Sequence, residues 1–148
     1  MSGFQFPYLT MIVSGVLAFL LGVFLYHPKV MGTRWMRARG AAAPPQVPNA
    51  RKMILLLGLW LLAACFYTFL VNLLAIGDFP GLICLSCLLW VAFAMPPAVM
   101  SSLYTSYAFE AVAIDAAYQL SGYFIFAAVT ALAKFAPWPD ALRAMGLH

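Results

Sequence analysis

Residues 27–52 read HPKVMGTRWMRARGAAAPPQVPNARK, with six of the eight Lys and Arg residues (Lys29, Arg34, Arg37, Arg39, Arg51 and Lys52) and no acid. Uncharged apolar runs press against this stretch on both sides. A short Lys/Arg-rich loop between apolar spans stays on the cytoplasmic face during membrane insertion, because carrying its charges across is unfavourable. The span before it is therefore expected to exit into the cytoplasm, and the span after it to leave. Every other polar residue takes its expected depth from that orientation.

Composition names the solvent. Hydrophobic residues make up 66% of the chain and charged residues 8%, with mean hydropathy +0.96, whereas soluble domains run near half apolar and a quarter charged. At 148 residues, spans of about 20 residues each leave room for four helices and little else. The expected fold is an all-α integral membrane protein, a single domain of four transmembrane helices in an antiparallel bundle. The expected spans are 4–26, 53–76, 81–97 and 110–133, with a short interfacial helix before the last. The net charge of +4 is mostly the connector's, so it reports topology and contact with anionic lipids, at about 1 kcal/mol per basic residue near the surface. Nucleic acid is not an expected partner. Three Cys residues in such a chain do not make a disulfide framework.

The first span has no Lys or Arg before it, and its positive charge follows it, which is the reverse of a cleavable signal peptide. It is expected to be a retained helix with its N-terminus outside. Ser14, Ala18 and Gly22 stand one turn apart and give that helix a face another backbone can approach closely. Tyr26 and Trp35 flank its cytoplasmic boundary, where Pro28 and Gly32 should end or kink it. The segment LYHPKVMGTRWM, residues 25–36, resembles the small bacterial membrane proteins of domain of unknown function 1761, whose first helix ends close to W-Y-x-P-x-x-F-G-x-x-W. Tyr26, Pro28, Gly32 and Trp35 fall on that pattern, while Leu25 and Met31 stand where the family more often has Trp and Phe. The closing segment IDAAYQLSGYFIFAAVTAL resembles the family's last helix through Asp115, Tyr118 and Gly122. The resemblance implies a four-helix membrane protein with no established activity.

Between these ends, residues 40–49 carry three prolines and no apolar period, and read as an irregular tether. The turn at residues 77–80 is short enough to predict that the helices it joins are antiparallel neighbours. Cys65, Thr68 and Asn72 share a helical face. Polar groups there point that face inward, toward interhelical hydrogen bonds of about 0.6 to 2 kcal/mol each. A single helix over residues 79–109 would be roughly 46 Å long, well beyond a hydrocarbon core of about 30 Å. Pro96 and Pro97 are expected to interrupt it. A second element over 98–107 should then lie along the inner interface or fold back among the helices.

Two features could carry chemistry. Cys84 and Cys87 form a CxxC motif at the outer start of helix three, where a helix N-terminus would lower a thiol pKa. The placement resembles quinone-coupled, disulfide-forming membrane oxidoreductases, but no loop-borne second cysteine pair is present. The alternative is two small residues on a packing face. The other feature is the start of helix four, with Glu110, Asp115, Tyr118 and Gln119. A charged Asp inside the bilayer costs about 2.5 to 3.5 kcal/mol on insertion scales and should have a partner. Either these residues form a proton or solute site, or Asp115 or Glu110 pairs with Arg34 or Arg37 and pins the connector beneath the bundle. Asn72 completes the candidate polar set. Trp138 and the prolines around it mark the outer boundary of the last span, and the tail over 140–148 should be external. No nucleotide loop, catalytic triad or zinc spacing occurs.

The sequence thus points to a non-enzymatic membrane protein that packs against other transmembrane helices, as a homo-oligomer or an accessory subunit. The expected setting is the bacterial cytoplasmic membrane with both termini outside, and no cofactor is expected. A small carrier using Asp115 and a thiol oxidoreductase using Cys84 and Cys87 are the alternatives.

Overall fold

A computed structural model of the chain describes residues 7–40, 49–106 and 108–135. Six α-helices follow in order: α1 Tyr8–Leu25, α2 Thr33–Ala38, α3 Ala50–Leu73, α4 Phe79–Leu89, α5 Met95–Thr105 and α6 Phe109–Phe135. A π-helical turn, Pro28–Gly32, precedes α2, and another, Trp90–Ala94, joins α4 to α5. No strand occurs among the described residues. Tyr8–Leu25, Ala50–Leu73, Phe79–Thr105 and Phe109–Lys134 are each long and apolar enough to cross a membrane. The fold is therefore the expected all-α membrane architecture.

Local chemistry sets the helix ends. Asn49 caps α3 by accepting the Lys52 N–H at 3.0 Å, and Asp78 caps α4 by accepting the Gly81 N–H at 3.0 Å, each satisfying a donor that has no intrahelical partner. Ala75, at φ 50, turns the chain away after α3. The Lys134 ammonium donates to the Ile76 carbonyl and ties the end of α6 to that turn.

Small residues decide which helices touch. Ser14, Gly15, Ala18 and Gly22 are the buried residues of α1, the face expected from their spacing. A Cβ on Gly15 would stand 3.2 Å from the Leu61 Cα, so α3 lies almost against the α1 backbone. On the other side α1 packs along α6, and α4 packs on α6 in turn. The two helices joined by the short turn are neighbours through side chains rather than through close backbone approach. The α3 and α4 backbones make only slight contact, and Tyr67 fills the space between them. Its hydroxyl donates to the Leu82 carbonyl at 3.0 Å and lies 3.0 Å from the Ser86 hydroxyl. Ser86 in turn lies 3.0 Å from the Tyr123 carbonyl, so α3, α4 and α6 meet through polar groups satisfied inside the bundle. Tyr67 and Phe126 are the largest fully buried side chains of this core. Leu and Phe side chains such as Leu59, Leu62, Phe66 and Leu88 face outward, as lipid-facing surfaces require.

Three expectations change. The diproline does not break the third span, because the helical path runs from Phe79 to Thr105. Proline lacks an N–H and crowds the carbonyl four residues back. The wide turn just upstream accommodates this by shifting the Met95 N–H to the Trp90 carbonyl, five residues back. The packing face of α4 is Leu82, Leu85 and Ser86, so Cys84 is exposed, Cys87 half-buried, and both are free thiols. Among the described residues Asn72 makes no interhelical bond. Its amide donates to the Thr68 carbonyl of its own helix at 2.8 Å. Most of the tether over 40–49, Trp138 and the tail over 140–148 lie outside the described residues.

Candidate functional site

Pro28 cannot continue α1, and the π-helical turn that follows sends α2 back against the start of α6. Gly32 makes the turn possible, since a Cβ there would lie 2.9 Å from the Tyr26 carbonyl carbon. The Thr33 hydroxyl donates to the Pro28 carbonyl at 2.8 Å and closes the turn. Trp35 and Arg39 then stand one helical turn apart on the face toward α6.

Asp115 is the acceptor on which this arrangement converges. Its Oδ1 accepts from the Tyr26 hydroxyl at 2.5 Å and from the Trp35 indole N–H at 2.7 Å. Its Oδ2 pairs with Arg39 Nη2 at 3.0 Å. The Arg39 guanidinium also lies over the Trp35 ring, 4.3 Å from its centroid, a cation–π contact that strengthens away from water. A carboxylate in this setting is compensated by one formal charge and two neutral donors, which is what makes its burial tolerable. The partner differs from the two arginines expected. Arg37 is exposed, and Arg34 pairs at the surface with Glu110 at 2.6 Å. Because Arg39 shares the helix face of Trp35, it is the arginine that reaches Asp115.

An aromatic row leads inward from the carboxylate. Tyr26 meets Tyr118 edge-on at 5.3 Å, and Tyr118 meets Trp60 at 5.3 Å. The Tyr118 hydroxyl accepts from the Trp60 indole at 2.5 Å and donates to the Ala18 carbonyl at 3.3 Å. Trp60 continues to Phe126 at 5.7 Å. Gly22 leaves the room Tyr118 occupies, since any Cβ there would collide with the phenol.

Beside this row, at the connector end of the bundle, is a cavity of about 910 Å³. Phe19, Val23, Met53, Leu56 and Phe93 supply apolar walls, and Tyr26, Arg39, Asp115 and Gln119 the main polar groups. Apolar walls with a few fixed polar groups are the usual make-up of a small-molecule site. Asp115, Tyr118 and Gln119 thus line one cavity. Glu110 remains outside with Arg34. Asn72 lies at the other end of α3, in a separate pocket of about 280 Å³. Cys84 and Cys87 line neither space, and Lys29, Arg34, Arg37, Arg51 and Lys52 are exposed.

Sequence reading missed Trp35 and Arg39 as a unit, and Trp60 altogether. The signals were a one-turn spacing for the first pair, and for Trp60 an indole N–H inside a span, which needs an acceptor. Of the residues that carried the family resemblance, Tyr26, Pro28, Gly32, Trp35, Asp115 and Tyr118 line the cavity, while Gly122 makes room for the Trp60 ring. No curated protein and no solved structure matches the chain. The model of the family described as protein of unknown function DUF1761 matches residues 9–131, from the first helix through the last, and the chain belongs to that family.

Proposed function

We propose that the chain binds an amphipathic small molecule in the connector-end cavity, with its apolar body among Phe19, Val23, Leu56 and Phe93 and its polar head at Gln119. The observation that carries this reading is the cavity itself, apolar-walled and ending at a cluster of fixed polar groups. Asp115 builds the site rather than serving as its free ligand, because both its oxygens are engaged within the chain. Gln119, half-buried on the same helix one turn further in, offers both a donor and an acceptor. In the bacterial cytoplasmic membrane, with the connector inside, such a site would load from the inner leaflet.

The test is native mass spectrometry of the protein released from mild detergent, with and without a cavity-filling Ala98→Trp. Ala98 is half-buried in the cavity wall. A bound small molecule in the natural protein, lost in a folded Ala98→Trp, is the expected result. An adduct that survives the filled cavity, or none in either protein, would overturn the reading.

The second reading is helix packing as a homo-oligomer or accessory subunit. It is favoured by Ala113 and Ala117, small and exposed one turn apart on the outer face of α6, where another helix could approach closely. Disulfide trapping of Ala117→Cys in a Cys-free background, within native membranes, would report a self-contact there. A monomer at every oxidant concentration would count against a self-association through that face.

A further inference from the structure

At the end of the bundle away from the connector, the pocket of about 280 Å³ is formed by α1, α3 and α6 through Pro7, Thr10, Thr68, Asn72, Thr130 and Lys134, with Val71 and Ala133. Thr68 and Thr130 are 3% and 6% exposed. A threonine hydroxyl inside a helix ordinarily donates to the carbonyl three or four residues back. Neither of these hydroxyls has a partner among the described residues, although both residues line the pocket. Both oxygens are open to the pocket rather than sealed away, so two hydroxyls free to donate beside one space mark a place where a ligand can complete the bonding.

The charges indicate which ligand. Lys134 lines the pocket, its ammonium directed by a hydrogen bond to the Ile76 carbonyl, which leaves two further N–H donors. No carboxylate is among the described lining residues. Pro7 and Thr10, at the start of α1, are in the pocket wall, so the positive end of that helix dipole faces the same space. Asn72 spends one amide N–H on the Thr68 carbonyl and retains the other. A cation would meet an ammonium and a positive helix end. An anion would meet donors throughout.

We infer that this pocket is a binding site for a small monovalent oxyanion of carboxylate type. Thr68, Thr130 and Asn72 donate to it, and Lys134 supplies the countercharge. The pocket is several times the roughly 30 Å³ that one water occupies in the liquid, so a single buried water does not fill it. A free organic acid and the phosphodiester of an anionic lipid present the same chemistry. This inference stands apart from the connector-end cavity and does not depend on its ligand.

The test uses the full chain in a neutral detergent, with sodium acetate replacing the bulky sulfonate buffer MES mole for mole, so that sodium and ionic strength stay fixed. A saturable rise in Tm with acetate is expected. Thr68→Val and Thr130→Val, which keep shape and remove the hydroxyl, should each weaken the apparent affinity about tenfold, the size of one lost hydrogen bond. Lys134→Met should abolish the response. In MES alone the two valine variants should melt close to the natural protein, since neither hydroxyl bonds another described residue, and this separates loss of binding from loss of folding. Nanodiscs of phosphatidylcholine with and without phosphatidylglycerol supply the lipid arm. A stabilisation by phosphatidylglycerol that needs Thr68 and Lys134, without one by acetate, would keep the oxyanion site and name the headgroup as its source. No saturable response in either arm, or the same response in all variants, would overturn the inference.

Discussion

Asp115 accepts from Tyr26, Trp35 and Arg39 at once, and these contacts join the end of α1, the connector helix α2 and the start of α6. Removing one member of a fully buried charged pair strands the other and costs about 3 to 5 kcal/mol, whereas removing both costs less, and with 33% and 20% of the Arg39 and Asp115 side chains exposed the cost here is expected below that range. The cycle of Asp115→Asn with Arg39→Gln, followed by thermal stability in detergent, should therefore be strongly non-additive. The cycle of Asp115→Asn with Arg34→Gln should be additive within about 0.5 kcal/mol, because Arg34 serves Glu110 at an exposed site where pairs contribute about 0 to 1 kcal/mol. The reverse pattern would return Asp115 to Arg34. That Asp115 needs a basic partner from the connector was legible in the sequence, since an intramembrane acid demands one and positive charge is concentrated there. Which arginine was not legible. The choice depends on the face that α2 turns toward α6, and the π-helical turn over Pro28–Gly32 sets that face by changing the local helical phase.

The α1 helix has lipid on part of its circumference and closely approaching backbone on the rest, and its small residues mark the boundary between the two. Any side chain larger than Gly at position 22 must displace the Tyr118 phenol, which also disconnects Tyr118 from Trp60 and from the Ala18 carbonyl. Gly22→Val is expected to cost about 1 to 3 kcal/mol by overpacking. Gly58→Ala, where nothing lies within 4 Å of the added methyl, should be neutral or slightly stabilising because Ala is the better helix former. Equal melting of the two variants would dismiss close packing as the role of Gly22. On α4 the same logic separates Leu85 from the cysteines. Leu85→Ala removes a buried side chain and should cost about 2 to 5 kcal/mol, while the double substitution of Cys84 and Cys87 by Ala should change folding and ligand binding little, since neither thiol is fully buried. A loss of function in folded Cys84→Ala/Cys87→Ala protein would restore the redox reading. The small-residue face of α1 could be read from spacing alone. The packing face of α4 could not, because Leu, Ile and Cys surround that helix with nearly uniform hydropathy, so its pattern carries little directional signal.

The bundle as a whole has two unlike ends. One carries the basic connector, the Asp115 cluster and the apolar cavity, and the other carries the threonine-lined pocket with Lys134. Span number followed from charge-free length, and a chain with four spans must return its last helix to the side where the first began. Which helices pack backbone to backbone, α1 with α3 and α6 and α4 with α6, did not follow, because hydropathy reports burial in lipid or protein alike. Assigning the two ends to membrane sides rests on the positive-inside rule, and it fixes from which leaflet each site is reached. In a Cys-free background, a membrane-impermeant maleimide added outside intact cells should modify Cys placed near Ser2 or Leu147. It should leave Ala42→Cys unmodified until the membrane is opened. Ser101→Cys, exposed and on the wall of the large cavity, should behave like Ala42→Cys if that cavity faces the cytoplasmic side, and its labelling should slow when the cavity is occupied. Modification of both Ala42→Cys and Ser101→Cys from outside would invert the molecule without disturbing the fold, and would turn the cavity toward the outer leaflet. Modification of Ser101→Cys alone from outside would contradict the placement of the cavity at the connector end.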